Sequence, residues 1–375
     1  MPHRQRVLWL IKGLARGGAE RLVSAMAPRI DRSRFEVEVA YLVPQADAFL
    51  PDLEGAGIRV HCLQARRNVD PRWPARLRRL LREGRYDIVH SHSPLAGSVA
   101  RLVAPRDTRH FYTEHNMWDV YRWPTFAANA VTYTRNERAF AVSEGVAASI
   151  ARPSWARIGR MPPVETLLHG VDVGKASHGL EARAAARDRL GIPADTPVIG
   201  HVANFSPKKD QATLLRAFAA VRERIPEALL LLIGMGPLED QLRQTVRDLN
   251  ATDAVRFLGS RDDVAELLSA LDVFVLSSTY EGLPISLLEA MAAEVACVCT
   301  AVGGIPEALR DGIDGRLVPA ARPDALSEAL REVMLDVAKR QRLGSNARTR
   351  VRTEFDLSRA VQRHERQYAT SGRES

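Results

Sequence analysis

The chain has 375 residues, of which 46% are hydrophobic and 26% are charged, a size and composition typical of a globular protein with two domains. Lys and Arg number 53 against 45 Asp and Glu, so the formal net charge is +8, which favours a polyanionic ligand, an anionic membrane surface or nucleic acid as a partner. The sequence has no basic low-complexity tail and no nucleic-acid-binding motif, so we expect no nucleic-acid partner.

The cellular compartment is predicted from the apolar runs and the cysteines. The apolar run at residues 7–11 is followed by Lys12 and is too short for a signal peptide, and the longest apolar run, residues 228–233, cannot cross a bilayer. The three cysteines show no metal-binding or redox spacing, so we interpret them as small buried hydrophobic residues in a reducing compartment. We therefore expect a cytoplasmic protein.

The first predicted element is a buried strand at residues 7–11, followed by a glycine-containing loop and a helix at about 19–27. Strand, loop and helix in this order place backbone N–H groups where a phosphate can bind. Gly17 and Gly18 end the loop, but their spacing is not Gly-x-Gly-x-x-Gly, which argues against a dinucleotide-binding fingerprint. A tight turn and a ligand-binding loop are both open interpretations of this glycine pair.

Strands are predicted next at residues 35–43, 58–62 and 86–91, with a basic helix at 71–83 before the third. The helix carries five arginines around three leucines. A solvated basic face explains this pattern, and so does docking on an anionic membrane. Both interpretations stay open.

Polar side chains follow two strands of the first half, where parallel α/β sheets bind ligands. His92 comes just after the strand at 86–91, and His115 directly follows the next one. For His92 we expect a structural or a ligand-binding role. Trp118 and Tyr121 lie in the aromatic-rich segment that follows, which is explained equally well by buried packing and by binding of a ligand.

The second half begins with a predicted strand at residues 197–203, followed by Asn204, Lys208 and Lys209 and then a helix at 211–224. Two further strands, at 229–233 and 255–259, are each followed by a loop. These loops contain Gly234, Gly236 and Arg261. Taken alone, the lysine pair would be interpreted as a solvated pair before a helix.

One stretch organises the second half, a strand at residues 272–278 that stops at a polar Ser-Ser-Thr cluster (277–279), followed by a loop with Glu281 and a helix containing Glu289. Pro284 suits the first turn of that helix, because its missing N–H is not needed there. Free backbone N–H groups lie between the two carboxylates, and the helical part of the gap is roughly 8–9 Å at ~1.5 Å per residue. A sugar nucleotide, with hydroxyls at each end and a diphosphate between, matches this arrangement. The residues between the two glutamates that we assign to donor binding are Gly282, Leu283, Pro284, Ile285 and Ser286.

Residues 281–289 resemble the signature of the retaining glycosyltransferases of family 4, which is a Glu, seven residues and a second Glu written through Glu-Gly-Leu-Pro. The resemblance covers nearly the whole chain and is most specific from 198 to 319. It implies the α/β GT-B fold, two doubly wound Rossmann-like domains facing each other across a cleft. The first domain is expected at 1–172, joined by a C-terminal helix at 355–369, and the second at 190–350, with residues 173–195 as the connection.

The resemblance also implies roles for individual residues. Glu281 and His115, the latter in a Thr-x-His pattern, would contact the transferred sugar, Lys209 the donor diphosphate and Glu289 the ribose hydroxyls. Asn204 stands where the family usually has Arg, which removes a positive charge from the leaving group that Lys208 or an arginine elsewhere would have to supply. The other donor-binding residues implied are Gly17, Gly18, Asn204, Lys208, Gly234, Gly236, Arg261 and residues 282–286. On the acceptor side we place Trp118, Tyr121 and His92.

The function implied is retaining transfer of a sugar from a UDP-sugar or GDP-sugar to a glycan, lipid-linked or small-molecule acceptor, in synthesis of cell-surface polysaccharide or glycoconjugates. We expect no cofactor and no metal, because no acidic metal-binding pattern stands at a strand end. The location is expected to be cytoplasmic, with contact at the inner face of the membrane through residues 71–83 left open. Three alternatives are a sugar-nucleotide 2-epimerase, a non-catalytic nucleotide-sugar-binding scaffold and an NAD-dependent oxidoreductase, the last opposed by the glycine spacing.

Overall fold

The computed structural model describes residues 4–65, 70–156, 159–176 and 178–370. The chain divides into two compact units, each described by itself below. Unit 1 comprises Met1–His169 and Leu357–Ser375, and unit 2 comprises Gly170–Asp356. Unit 2 thus extends beyond the 190–350 stretch expected from the sequence, and it includes residues 173–195, which we interpreted as a connection.

In its described residues, unit 1 contains a parallel sheet of seven strands. In chain order these strands are β1 Gln5–Ile11, β2 Phe35–Tyr41, β3 Arg59–Cys62, β4 Ile88–Ser91, β5 Arg109–Glu114, β6 Arg138–Ala141 and β7 Val164–Thr166. Their order in the sheet is β3-β2-β1-β4-β5-β6-β7, so the direction of winding reverses between β1 and β4. Ligands of open α/β sheets bind outside the carboxyl ends of the strands at such a reversal.

Helices cover both faces of this sheet, which is why β1 contains the continuous apolar run at residues 7–11. Alternate residues of β1 point to opposite faces, so Trp9 packs with the first helix while Leu8 packs with the third and fourth. The third helix buries its apolar side and leaves most of its arginines exposed. The helices of this part of the chain are α1 Gly18–Met26, α2 Leu50–Gly55, α3 Arg72–Gly84, α4 Pro94–Val103, α5 Trp123–Thr132 and α6 Glu144–Ser149.

Unit 2 contains, in its described residues, a parallel sheet of six strands. They are β8 Val198–Val202, β9 Leu229–Ile233, β10 Val255–Gly259, β11 Val273–Leu276, β12 Ala296–Thr300 and β13 Arg316–Val318. The sheet order is β10-β9-β8-β11-β12-β13, so here the winding reverses between β8 and β11. The loops after these two strands therefore meet at the position where a doubly wound sheet binds its ligand.

Helices of unit 2 pack on its sheet around a hydrophobic core cluster. Leu230 and Leu232 of the fully buried β9 belong to it, together with Phe218 and Leu330 from helices on the sheet. The helices are α7 Leu180–Arg189, α8 Gln211–Arg222, α9 Glu239–Asp248, α10 Val264–Leu268, α11 Ile285–Ala292, α12 Ile305–Ala308, α13 Pro323–Leu335 and α14 Val337–Glu354. Arg187 of α7 donates to the carbonyl oxygen of Ala270 at 3.0 Å, which joins α7 to this unit.

The last helix, α15 Leu357–Thr370, returns to unit 1. Leu357, Ala360, Val361 and Tyr368 are buried in the same core cluster as Trp9. The Trp9 indole donates to the Tyr368 hydroxyl at 3.1 Å. Unit 1 is therefore completed by residues that follow unit 2 in sequence.

The predicted elements exist, with boundaries shifted by a few residues. The strands at 229–233 and 255–259 have the predicted bounds, whereas the one predicted at 35–43 ends at Tyr41 and the one predicted at 272–278 is Val273–Leu276. Pro284 is the residue just before α11 rather than part of its first turn. Of the described helices, none is both long and apolar enough to span a bilayer.

Candidate active site

In unit 2, the loops after β8 and β11 bring Lys209 and Glu281 together. The Lys209 ammonium donates to Glu281 Oε1 at 2.5 Å, and the carboxylate is almost completely buried. A one-turn helix, Pro207–Lys209, presents the lysine, and the following Asp210 has a left-handed backbone, φ 43°, and caps α8 through its side chain. Backbone conformations that are costly for non-glycine residues are concentrated at functional sites. The backbone geometry of this short segment thus fixes the position of Lys209 in the pair.

Buried hydroxyl groups at the end of β11 hold both members of this pair. Ser278 donates to Glu281 Oε1 at 2.6 Å, and Ser277 donates to the carbonyl oxygen of Lys209 at 2.9 Å. Thr300 of β12 in turn donates to the Ser278 carbonyl oxygen at 2.6 Å. Because these hydroxyls are buried, each hydrogen bond is costly to break, and the two charged groups are fixed relative to the sheet.

Two glycines bring a second turn against Glu281. Gly303 has a left-handed backbone, φ 53°, and a Cβ atom there would overlap the Glu281 carbonyl oxygen. The Gly304 N–H donates to the Gly282 carbonyl oxygen at 2.7 Å. The loop between β11 and α11 is thereby fixed by the turn that follows β12.

The loop after β9 also requires glycine at two positions. A Cβ atom on Gly234, whose φ is 139°, would overlap the Ala203 carbonyl oxygen, and one on Gly236 would overlap the backbone of Phe205. The Phe205 N–H donates to the Met235 carbonyl oxygen at 3.1 Å. The loops after β8 and β9 are thus packed backbone to backbone at the reversal point of the sheet.

Glu289 is the fifth residue of α11, so the helical rise from Ile285 is roughly 6 Å, shorter than the 8–9 Å expected. Its side chain is half-buried, as is that of Ser286, while Leu283 and Ile285 pack into the core. The N–H groups of the first turn of α11 have no carbonyl partners within the helix and provide partial positive charge beside Glu281.

The remaining predicted donor residues lie around this centre. Lys208 is exposed, and its carbonyl oxygen accepts from the Thr279 N–H at 2.9 Å. Asn204 is exposed, and its carbonyl oxygen accepts from the Gln211 side chain at 3.0 Å. Arg261 is exposed and forms a bidentate pair with Asp263. The donor-binding roles that the resemblance implies for these residues stay predictions.

In unit 1, the carboxyl ends of β4 and β5 bring His92 and His115 together. His92 Nδ1 and His115 Nε2 are 3.2 Å apart, which is a hydrogen bond between the two rings. Burial lowers the pKa of His115 to about 3, with His169 and His364 adding to the effect. His115 is therefore neutral at physiological pH and acts through hydrogen bonds rather than through a charge.

The aromatic segment after His115 is attached to a buried carboxyl group. The Trp118 indole donates to Glu114 Oε2 at 2.7 Å, and the Tyr121 and Tyr112 hydroxyls donate to Glu114 Oε1. Trp118 is 2% exposed. Of the two interpretations of this segment, buried packing describes Trp118. Tyr121 is half-buried, and its hydroxyl donates to the same Glu114 carboxyl group.

Gly17 and Gly18 lie at the start of α1, also in unit 1. Gly17 is the residue just before the helix, with φ −126°, and a Cβ atom there would overlap the Glu20 carboxylate. The Glu20 carboxylate is the far end of a flexible side chain that can move away, so neither crowding nor a left-handed backbone requires glycine at this position. Whether the loop also binds a ligand stays a prediction.

Sequence reasoning missed several residues that organise these two sites. Ser278 was noted only as part of the polar cluster that ends β11, although a hydroxyl at a buried strand end beside a loop carboxylate is a usable signal. Glu114 is a carboxyl group at the end of the buried strand β5, next to the candidate His115. Tyr368, whose hydroxyl bonds to His90, is 278 residues away in sequence and no local pattern connects the two.

The described side chains also bear on metal binding. Within the described ranges, no group of three or more His, Cys, Asp or Glu side chains is arranged to hold a metal ion. The expectation of a metal-independent reaction stays a prediction.

Two family models match the chain, and together they cover most of it. The model for glycosyl transferases group 1 matches residues 182–350, and that for the glycosyl transferase 4-like domain matches residues 17–164. The D-inositol 3-phosphate glycosyltransferase of Actinosynnema mirum is 31% identical over 284 residues, which are 70% of this chain and 68% of that relative. The putative glycosyltransferase EpsF of Bacillus subtilis is 28% identical, with 79% of each chain covered.

A further relative matches over a shorter stretch. The N-acetyl-alpha-D-glucosaminyl L-malate synthase of Bacillus anthracis is 34% identical over 182 residues, and the match spans 48% of its length. Among solved structures, that of Anabaena HepE in complex with UDP-glucose has a TM-score of 0.86 and 22% identity, and covers 98% of this chain and 100% of that one. The structure of WaaG, a glycosyltransferase involved in lipopolysaccharide biosynthesis, has a TM-score of 0.76 and 18% identity, with 96% and 98% covered. The fold is therefore GT-B.

Proposed function

Because the chain belongs to the group 1 glycosyltransferase family, we propose that it transfers a sugar from a UDP-sugar or GDP-sugar, with retention of configuration, to a glycan, lipid-linked or small-molecule acceptor. As a member of that family it is a hexosyltransferase-type enzyme that uses a nucleotide-sugar donor. The product would be a cell-surface polysaccharide or a glycoconjugate. The observation that carries the proposal is the ion pair of Lys209, in the loop after β8, with the buried Glu281, in the loop before α11.

The pair supports transfer because departure of a nucleoside diphosphate builds up negative charge that must be stabilised. Lys209 supplies a fixed positive charge, and the first turn of α11 supplies N–H groups and the positive end of the helix dipole. Ser278 holds Glu281 in place, so its carboxylate can accept hydrogen bonds from sugar hydroxyls without reorganising. Charge stabilisation and sugar positioning are thus joined in one rigid group.

Three finer parts of the proposal are metal independence, the acceptor and the membrane. Lys209 and the helix terminus would replace a metal ion at the diphosphate. The exposed arginines of α3 favour docking on anionic lipids, with Arg72, Arg78 and Arg82 pointing to solvent. Contact with a membrane would suit a lipid-linked acceptor, and the expectation of a cytoplasmic location stays a prediction.

A thermal-shift panel of UDP-sugars and GDP-sugars, with and without magnesium, tests the donor site. We expect one nucleotide class to raise the melting temperature without metal, by an amount set by its concentration relative to Kd. Glu289→Ala should lose that shift, whereas Glu328→Ala, which removes an exposed glutamate of α13 in the same unit, should keep it.

Two results would contradict the proposal. If no nucleotide sugar shifts the melting temperature at millimolar concentration, the donor site is wrong. If the shift requires magnesium, the metal-independent part is wrong. Once a donor and an acceptor are known, NMR of the product's anomeric proton decides between retention and inversion.

A further inference from the structure

The histidines at the ends of β4 and β5 form a stacked cluster in unit 1. The rings of His90 and His92 stack with centroids 4.4 Å apart, and those of His92 and His115 lie 5.5 Å apart. His90 and His92 are buried, and His115 is half-buried. Since burial lowers the pKa of all three, they are neutral rings, and each carries its one N–H proton on either Nδ1 or Nε2.

Both ring nitrogens of His90 are already used. Its Nδ1 bonds to the Tyr368 hydroxyl, which accepts from the Trp9 indole, and its Nε2 lies 2.7 Å from Thr113 Oγ1. The Tyr368 oxygen already accepts a hydrogen bond from the Trp9 indole, so the hydroxyl proton of Tyr368 is best donated to His90 Nδ1. His90 then carries its own ring proton on Nε2. His90 therefore contacts His92 through ring stacking and not through a hydrogen bond.

The bond between His92 and His115 can be formed in two ways. Either His92 Nδ1–H donates to His115 Nε2, or His115 Nε2–H donates to His92 Nδ1. The second arrangement puts the proton of His92 on its Nε2, and this atom is buried with no hydrogen-bond partner among the described residues. A buried N–H without a partner is among the rarest and costliest features of folded proteins, whereas a bare nitrogen acceptor is tolerated more often. The first arrangement is therefore favoured.

We propose that His92 is a positioning residue that fixes His115 in the tautomer with its proton on Nδ1. His115 Nε2 is then occupied as an acceptor from His92, and the hydrogen-bonding group left for a ligand is the neutral Nδ1–H donor. The sugar contacted by His115 would be recognised through one of its oxygen acceptors. The inference rests on the proposed function for the sugar contact, but the tautomer itself does not depend on it.

Nitrogen NMR of the protein labelled with ¹⁵N-histidine tests the tautomer directly, because protonated and bare ring nitrogens have well-separated shifts. We expect His92 and His115 each to show a protonated Nδ1 and a bare Nε2, with assignments from His92→Asn and His115→Gln. A protonated Nε2 on either ring would overturn the proposal. This measurement needs no substrate, so its failure is distinct from failure of the proposed function.

Steady-state kinetics test the positioning role, with the donor that the thermal-shift panel identifies. His92→Phe keeps an aromatic ring for stacking but removes the donor, and should lower kcat about 10- to 100-fold, the loss typical when the hydrogen-bond partner of a metal-bound histidine is removed. His92→Asn, whose amide nitrogen can replace Nδ1, should recover most of that loss. The matched control is His110→Phe, a buried histidine at the opposite end of β5. If His92→Phe loses no more activity than the control, or His92→Asn recovers none, His92 has only a structural role.

Discussion

Glu114 is a fully buried carboxyl group directly before His115, and burial raises its pKa to about 7 despite hydrogen bonds from Tyr121, Trp118 and Tyr112. In the unfolded chain this group titrates near 4.5. Because the folded pKa is the higher one, the folded state binds the proton more tightly, and ionisation of Glu114 destabilises it. That cost is absent below the unfolded pKa and fully present above about pH 7, where it reaches roughly 3 kcal/mol.

Glu114→Gln should remove this pH dependence. The difference in unfolding free energy between the variant and the wild type should shift in favour of the variant by about 2–3 kcal/mol as the pH rises from about 5 to about 8. Urea unfolding followed by circular dichroism at several pH values measures it. Glu83→Gln, at an exposed glutamate of α3, is the control and should give a constant difference. A constant difference for Glu114→Gln as well would contradict the prediction.

At the scale of elements, the turn after β12 determines where the loop of Glu281 lies. Gly303→Ala should destabilise unit 2 by about 1–3 kcal/mol more than Gly312→Ala, because only the first Cβ atom overlaps the Glu281 carbonyl oxygen. Both glycines have a left-handed backbone, and a Cβ atom on Gly312 has no atom within 4 Å, so the control carries the same backbone cost. Gly303→Ala should also weaken the thermal shift by the donor.

Thermal unfolding of the two alanine variants, with and without the donor, measures both effects. Equal destabilisation by the two substitutions would mean that the turn at Gly303 accommodates the added methyl group without moving Glu281. A full donor shift in Gly303→Ala would lead to the same conclusion.

The elements that sequence predicts best are those with a strong local pattern. Buried parallel strands such as β9 are continuous apolar runs, and the loop and helix after β11 follow from a polar cluster, a proline and apolar spacing. Boundaries shift because a strand ends where its hydrogen-bonded neighbour ends, as at Tyr41, where the pairing of β1 with β2 stops. Such pairings connect distant segments and leave no mark in either one.

The candidate sites were predictable to a similar extent. The family motif places Lys209 and Glu281, and the structure adds that they form a buried ion pair. The supporting residues escape sequence reasoning, because Ser278 and Glu114 acquire their roles only from burial and from partners on other strands. Asn204 remains the departure from the family pattern, and its carbonyl oxygen accepts from the Gln211 side chain.

At the scale of the whole molecule, the buried histidines predict that unit 1 is the more acid-sensitive unit. Within the described residues, burial lowers the pKa of His90, His92, His110, His115 and His364 in unit 1 and of His201 in unit 2. Because the unfolded chain binds these protons more tightly, each such histidine lowers the stability of its unit by roughly 1.4 kcal/mol per pH unit between about pH 6.5 and the pKa of the folded state. Glu114 acts in the opposite direction and offsets only part of this loss.

Acid titration should therefore unfold unit 1 before unit 2, between about pH 6.5 and pH 4. The five tryptophans all lie in unit 1, so their fluorescence reports on that unit alone. Cys297 and Cys299 are buried in unit 2, and their protection from a dipyridyl disulfide, which reacts with thiols in acid, reports on the other. Loss of thiol protection before loss of the tryptophan signal would show the opposite order.

Helix α15 has a consequence for the way the chain is made. While the ribosome is still translating residues 170–356, the core of unit 1 lacks the helix that closes it and His90 lacks the hydroxyl of Tyr368. Unit 2 is contiguous in sequence, so it can complete its fold before unit 1 during synthesis. A nascent chain released before residue 357 thus carries a finished second unit beside an unfinished first one, with an open apolar face that chaperones and proteases recognise.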